Sequence, residues 1–164
     1  MAKATTTHKK YKGVIVSKTD MRKLKDELKT KMKDITDFII FRFEQIGEEC
    51  VKIAREKGSY HDITGNLRSS IGYAIFVDGK TVRQGAPEQF AGSQGDGAKG
   101  AAEAQSLLNT LKSKFPWGVV LVICAGMEYA AYVEDIRHKD VLTSAEHVAE
   151  RLVKELMGNL LKSA

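Results

Sequence analysis

The sequence predicts an α+β fold, with a long N-terminal helix and a C-terminal helix packed on a small, mainly antiparallel sheet. Three observations predict it. Apolar residues recur at the helical period in the first third of the chain, switch to period two beyond residue 66, and return to the helical period in the last twenty residues. The 164 residues suit one such domain, because a chain of this size buries roughly 70% of its unfolded surface in a single core. The sequence divides into an arm at 1–18 and one α+β domain at 19–164, with a glycine-rich loop at 85–100.

The arm is small, polar and basic. Within it Tyr11 to Val16 could form a short strand, with Val14, Ile15 and Val16 as β-branched residues. Thr19 and Asp20 then offer a helix N-cap, since their side-chain oxygens can accept free N–H groups of a first turn. Met21, Leu24, Leu28, Met32, Ile35, Ile39, Phe43, Ile46, Cys50 and Ile53 follow, separated only by threes and fours. That is the α-helical period, and Gly58 is a natural residue to end the helix. A helix over 20–57 is about 57 Å long, more than one small domain needs, so part of its stripe is expected to pack on another subunit.

From Leu67 the period becomes two: Leu67, Ser69, Ile71, Tyr73, Ile75 and Val77 fall on one face of a strand. Asp78-Gly79 reads as a type I′ hairpin turn, with Lys80 to Gln84 returning. Gly85 to Gly100 is poor in apolar residues and reads as a mobile loop. Ala101, Ala104, Leu108 and Leu111 mark a short helix that must end before Pro116. Trp117 to Ala125 is almost unbroken in apolar character, which predicts a central strand buried on both faces. Glu128 to Glu134 is a short helical or bent segment. Thr143-Ser-Ala-Glu146 matches a capping box, and Ala145, Val148, Leu152, Leu156 and Leu160 then form the stripe of the last helix.

Composition excludes several classes. Apolar residues make up 43% and charged residues 29%, as in a soluble globular protein. The longest apolar run, Val119 to Ala125, is far shorter than the ~20 residues that span a bilayer. The N-terminus has no apolar signal region, which predicts synthesis and retention in a cytoplasm. Cys50 and Cys124 lie far apart in apolar segments and read as buried free thiols, with no histidine at metal-ligand spacing from either. The net charge of +5 is uneven: residues 1–33 hold eleven Lys/Arg and three Asp/Glu. Such a basic stretch is either a solvated face or a contact for nucleic acid or an acidic partner.

Catalytic motifs are absent. Gly95-Asp-Gly97-Ala-Lys-Gly100 matches G-x-G-x-x-G literally, but the residues before it do not read as the strand that a dinucleotide site needs. His8, His61, His138 and His147 form no metal pair. His61-Asp62 would need a nucleophile and an oxyanion site, and neither is evident. No cofactor and no metal are expected.

Two motifs stand out: Thr64-Gly-Asn-Leu-Arg-Ser-Ser-Ile71 and Ala125-Gly-Met-Glu-Tyr-Ala-Ala-Tyr-Val-Glu134. Together they resemble the tail-component family of long-tailed phages, typified by gene product ten of a lambdoid siphophage. Members share a long N-terminal helix, a T-G-N-L-R-x-S-I corner, a hairpin, a strand running into Y-A-x-Y-V-E, and a C-terminal helix. Thr64, Gly65, Asn66, Leu67, Arg68, Ser70 and Ile71 match the first signature; Tyr129, Ala130, Tyr132, Val133 and Glu134 match the second. The chain departs from the family pattern at Ser59 to Ile63 and at Asp135 to Leu142, and residues 85–114 look like an insertion.

The resemblance implies a structural virion protein at the head–tail junction or tail end. It would be made in the bacterial host cytoplasm, join other neck or tail proteins, and form a ring-shaped homo-oligomer in the particle without covalent chemistry. Signature residues Thr64, Gly65, Asn66, Leu67, Arg68, Tyr129, Tyr132 and Glu134 become interface candidates, with Arg68 and Glu134 expected to pair. The alternative is a nucleic-acid-binding protein that uses the basic N-terminal region.

Overall fold

The computed structural model describes residues 20–85 and 88–163. The arm at 1–18, the strand read at Tyr11 to Val16, and Thr19 lie outside the described residues. The elements are α1 (Met21–Lys57), α2 (Asn66–Ser69), β1 (Ile71–Val77), β2 (Lys80–Gln84), α3 (Ala98–Leu111), β3 (Val119–Ala125), α4 (Ala130–Asp135) and α5 (Thr143–Ser163). A 3₁₀ turn at Lys112–Lys114 ends α3 before Pro116. The fold is α+β, with a three-stranded antiparallel sheet in the order β2-β1-β3. The chain divides into two compact units, Met1–Phe38 and Ile39–Ala164.

In the first unit the described residues form the start of α1. Asp20 caps it, its Oδ1 accepting the Arg22 N–H at 3.0 Å. The apolar stripe read from the sequence is exposed here, at Met21, Leu24, Leu28, Met32 and Ile35.

In the second unit the same stripe is buried: Phe43, Ile46, Cys50, Val51 and Ala54 join Ile71, Tyr73 and Ile75 of β1 and Ala145 and Leu156 of α5 in one core. Tyr73 anchors that layer. A Cβ on Gly47 would lie 2.7 Å from its Cγ, so only glycine lets α1 pass this close to the ring. Burial first, then the Glu48 and Glu44 carboxylates, push the Tyr73 phenol up to about 12. Burial likewise raises the free thiols of Cys50 and Cys124 to about 11. The other face of β1 carries Ala74 and Phe76, which pack with Leu108 of α3 and with Cys124. The sheet is thus covered on both faces, and α3 supplies one cover.

Two strand expectations change. The strand begins at Ile71 and not at Leu67, because Asn66–Ser69 closes into one helical turn. Leu67 and Ser69 still point inward, so the period-two pattern continued through residues that are not extended. The run ending at Ala125 forms an edge strand, and β1 holds the centre. β3 is apolar because both faces of the sheet are covered, which makes an edge strand resemble a central one in sequence. The hairpin is as read: Asp78 and Gly79 both have positive φ, 48° and 75°. Gly58 is not left-handed; its missing Cβ leaves room for the Tyr60 ring, whose hydroxyl donates to the Ala54 carbonyl at 3.2 Å.

Candidate functional site

The two signature motifs form two corners that meet. In the first, Gly65 takes φ 76° and opens α2. Asp62 holds the turn: its two carboxylate oxygens accept the N–H groups of Leu67 and Arg68 at 3.3 and 3.2 Å. Ser69 donates its hydroxyl to the Gly65 carbonyl at 2.7 Å and accepts the Phe90 N–H at 2.8 Å. Asn66 reaches the other way, its Oδ1 accepting the Gly100 N–H in the first turn of α3 at 3.2 Å.

These bonds account for the glycine-rich loop, whose Ala86 and Pro87 lie outside the described residues. From 88 to 97 the loop is sewn to the corner: Gln94 N–H donates to the Ile63 carbonyl at 2.8 Å, and Ser93 Oγ donates to the same oxygen. A Cβ at Gly92, Gly95, Gly97 or Gly100 would meet the backbone of residues 63–66 or 90, or the Ser69 hydroxyl. The literal G-x-G-x-x-G is therefore a packing motif. The first turn of α3 is already occupied, with Asp96 Oδ1 accepting the Ala98 N–H at 3.0 Å and Asn66 accepting that of Gly100. Two of the N–H groups that a phosphate would use therefore already have side-chain acceptors.

In the second corner Gly126 ends β3 and donates its N–H to the Ser70 carbonyl at 2.9 Å, joining the two motifs through the backbone. Tyr129 precedes α4 beside Thr64 and Asp62. Burial, and then the Asp62 carboxylate, push its phenol up, while a hydrogen bond with Thr64 acts in the opposite direction.

Arg68 and Glu134 do not pair. Arg68 Nε lies 4.0 Å from Asp62 Oδ2, and its guanidinium sits over the Phe90 ring at 5.8 Å. Arg55 covers the same ring at 4.9 Å and pairs with Glu88. Phe90, midway along the glycine-rich segment between β2 and α3, thus organises two cations. Glu134 instead serves α5: its Oε1 accepts Leu142 N–H at 3.0 Å, Thr143 N–H at 2.7 Å and the Thr143 hydroxyl at 2.6 Å. Asp140 accepts the next N–H, that of Ser144, at 3.1 Å. The capping box read at Thr143–Glu146 is therefore replaced by carboxylates from before the helix, and the Glu146 N–H donates to the Leu142 carbonyl.

Burial raises the Glu134 pKa, but the hydrogen bonds from Thr143, Leu142 and Val141 outweigh it, so the carboxyl titrates below its ordinary value. Its stabilising contribution is then fully present above the unfolded value of about 4.3 and is lost as pH falls through the lower folded value. Glu134→Ala is expected to cost about 1–2 kcal/mol at pH 7, as for loss of a charged cap. Urea midpoints at pH 7 and in strong acid check this, because the gap between variant and parent should close in acid.

Between the corners lies a hollow of about 460 Å³ lined by Tyr60, His61, Asp62, Ile63, Thr64, Leu67, Tyr129, Val133, Arg137 and Lys139. Thr64, Leu67 and Tyr129 of the candidate residues face it. Asn66 and Arg68 turn away, Tyr132 stands exposed beneath Arg137, and Glu134 is spent on α5. Ile63, Arg137 and Lys139 were not legible as site residues, because they lie outside the two motifs that stand out in the sequence. Among the described residues no cluster of three or more His, Cys, Asp or Glu side chains is placed to hold a metal ion. No described helix is long and apolar enough to cross a membrane.

No family model, curated protein or solved structure matches the chain.

Proposed function

We propose that the chain is a structural virion protein of a tailed phage or prophage, not an enzyme. It acts at the head–tail junction or tail end beside other neck or tail proteins, as a ring-forming homo-oligomer in the particle. The signature pair motivates the reading, and the meeting of Thr64 with Tyr129 at one hollow supports it. The observation that carries it is the exposed stripe of α1, where Leu28, Met32 and Ile35 are 53%, 68% and 51% exposed. Each such side chain forgoes roughly 1.5–3 kcal/mol of burial in water, which is the signature of a surface completed by assembly.

Leu28→Glu/Ile35→Glu tests this. Both positions are exposed, so the variant is expected to unfold within about 0.5 kcal/mol of the parent. Its incorporation into assembling particles is expected to fall to background. Normal incorporation of the variant would remove the stripe from the account.

The second reading, nucleic-acid binding, rests on residues 21–33 of α1. There Arg22, Lys23, Lys25, Lys29, Lys31 and Lys33 stand exposed against only Asp26 and Glu27. It requires an affinity for duplex DNA that falls steeply between two salt concentrations, and absence of binding at low salt rejects it.

A further inference from the structure

We propose that the hollow between the two corners is a docking site for an acidic, apolar-tipped segment of a partner protein. The inference deepens the assembly role proposed above and rests on it. Its walls are aliphatic and aromatic: Leu67 and Val133 form the inner surface, and Ile63 and Tyr129 stand at the rim, 54% and 39% exposed. Its volume of about 460 Å³ holds a few side chains.

Its charge is mainly positive. Arg137 and Lys139 line the hollow, and among the described residues neither has a carboxylate oxygen within 4.0 Å, whereas Arg55, Arg83 and Lys154 each have one. Asp62, the only acidic residue among those lining the hollow, forms no ion pair with either of them: its cationic neighbour is Arg68, whose Nε lies 4.0 Å from Oδ2. Its side chain is 7% exposed, and both its oxygens are held by the N–H groups of Leu67 and Arg68. Two uncompensated cations beside an apolar pocket complement a carboxylate next to a large apolar side chain.

The charge also selects among occupants. The chain's own residues 1–19 carry five lysines and no carboxylate side chain, the wrong sign for this site. A nucleic acid would offer phosphates, but base recognition needs open aromatic faces. Here Tyr129 at the rim is the one exposed lining phenol ring among the described residues; the inner wall is aliphatic, Tyr60 is buried, and the Tyr132 ring lies beneath the Arg137 guanidinium at 5.9 Å, so successive bases would find no row of stacking platforms.

The test is an amide NMR titration of the full chain with three probes: the end-blocked peptide Glu-Leu-Phe-Glu, its neutral counterpart Gln-Leu-Phe-Gln, and an oligothymidylate. The acidic peptide at millimolar concentration is expected to shift the Ile63, Tyr129, Arg137 and Lys139 amides. The neutral peptide should bind about tenfold more weakly, for want of charge-assisted hydrogen bonds. Arg137→Glu/Lys139→Glu, at two exposed positions, should keep the parent's unfolding midpoint and lose the acidic-peptide shifts. No shift with the acidic peptide, equal shifts with the neutral one, or preference for the oligothymidylate would each overturn the proposal. Particle assembly separates the two levels of the account. If the charge-reversed chain assembles normally, the docking site is wrong and the virion role stands. If the parent chain is absent from particles, the virion role fails whatever the peptides do.

Discussion

Phe76→Ala is expected to cost about 4 kcal/mol, the middle of the range for removing a buried aromatic ring. The ring is fully buried, stacks on Phe115 at 6.3 Å between centroids, and shares its layer with only Ala74, Leu108 and Cys124 as buried neighbours. The partly buried Leu107, Leu111, Phe115 and Val122 complete that layer. In a domain of this size such a loss lowers Tm by roughly 8–16 °C. Urea denaturation with an unchanged m-value checks it. A cost below about 1 kcal/mol would mean that α3 does not cover this face of the sheet. The result also bears on residues 85–114. They hold α3, and deleting them would bare Ala74 and Phe76 to water.

Gly100→Ala sets two effects against each other. Helix propensity alone favours alanine by up to about 1 kcal/mol. Against that, a Cβ there would fall on the Asn66 carbonyl group, 2.7 Å from its carbon, and both sides of the contact are backbone. The chain must move apart, at a cost of about 1–3 kcal/mol for overpacking, and the Gly100-to-Asn66 hydrogen bond goes with it. The net expectation is destabilisation by about 2 kcal/mol. Gly158 is the control: it lies inside α5 with nothing within 4 Å of a built Cβ. There alanine is expected to stabilise by about 0.5–1 kcal/mol. Both midpoints moving upward would show that the glycine-rich segment is not held against the first corner.

These two positions illustrate what a sequence can and cannot reveal. Met21 to Ile53 announce α1 because a helix repeats its environment every 3.6 residues, and the stripe of α5 is legible for the same reason. Asp78-Gly79 is legible because few residues tolerate positive φ at two adjacent positions. Local pattern carries no comparable trace of contacts between distant segments. Ser69 receiving the Phe90 N–H and Asn66 receiving that of Gly100 join side chains to backbone groups 21 and 34 residues away, whereas Asp62, Glu134 and Asp140 cap helices from a few residues before them, outside the capping spacing that a sequence pattern tests. The glycines of 92–100 looked like a free loop because their reason for being glycine lies at residues 63–66, 69 and 90. The same holds for the candidate site. Gly65 and Tyr129 stood out as signature residues, whereas Arg137 and Lys139 joined the hollow through the bend after α4.

The proposed virion role is checked most directly by deleting the gene from its genome of origin and viewing the induced lysate by electron microscopy. The expected lysate holds DNA-filled heads and tails that remain unjoined or unfinished, with normal particles restored when the full chain is supplied in trans. Intact, infectious virions in normal number from the deletion strain would contradict it.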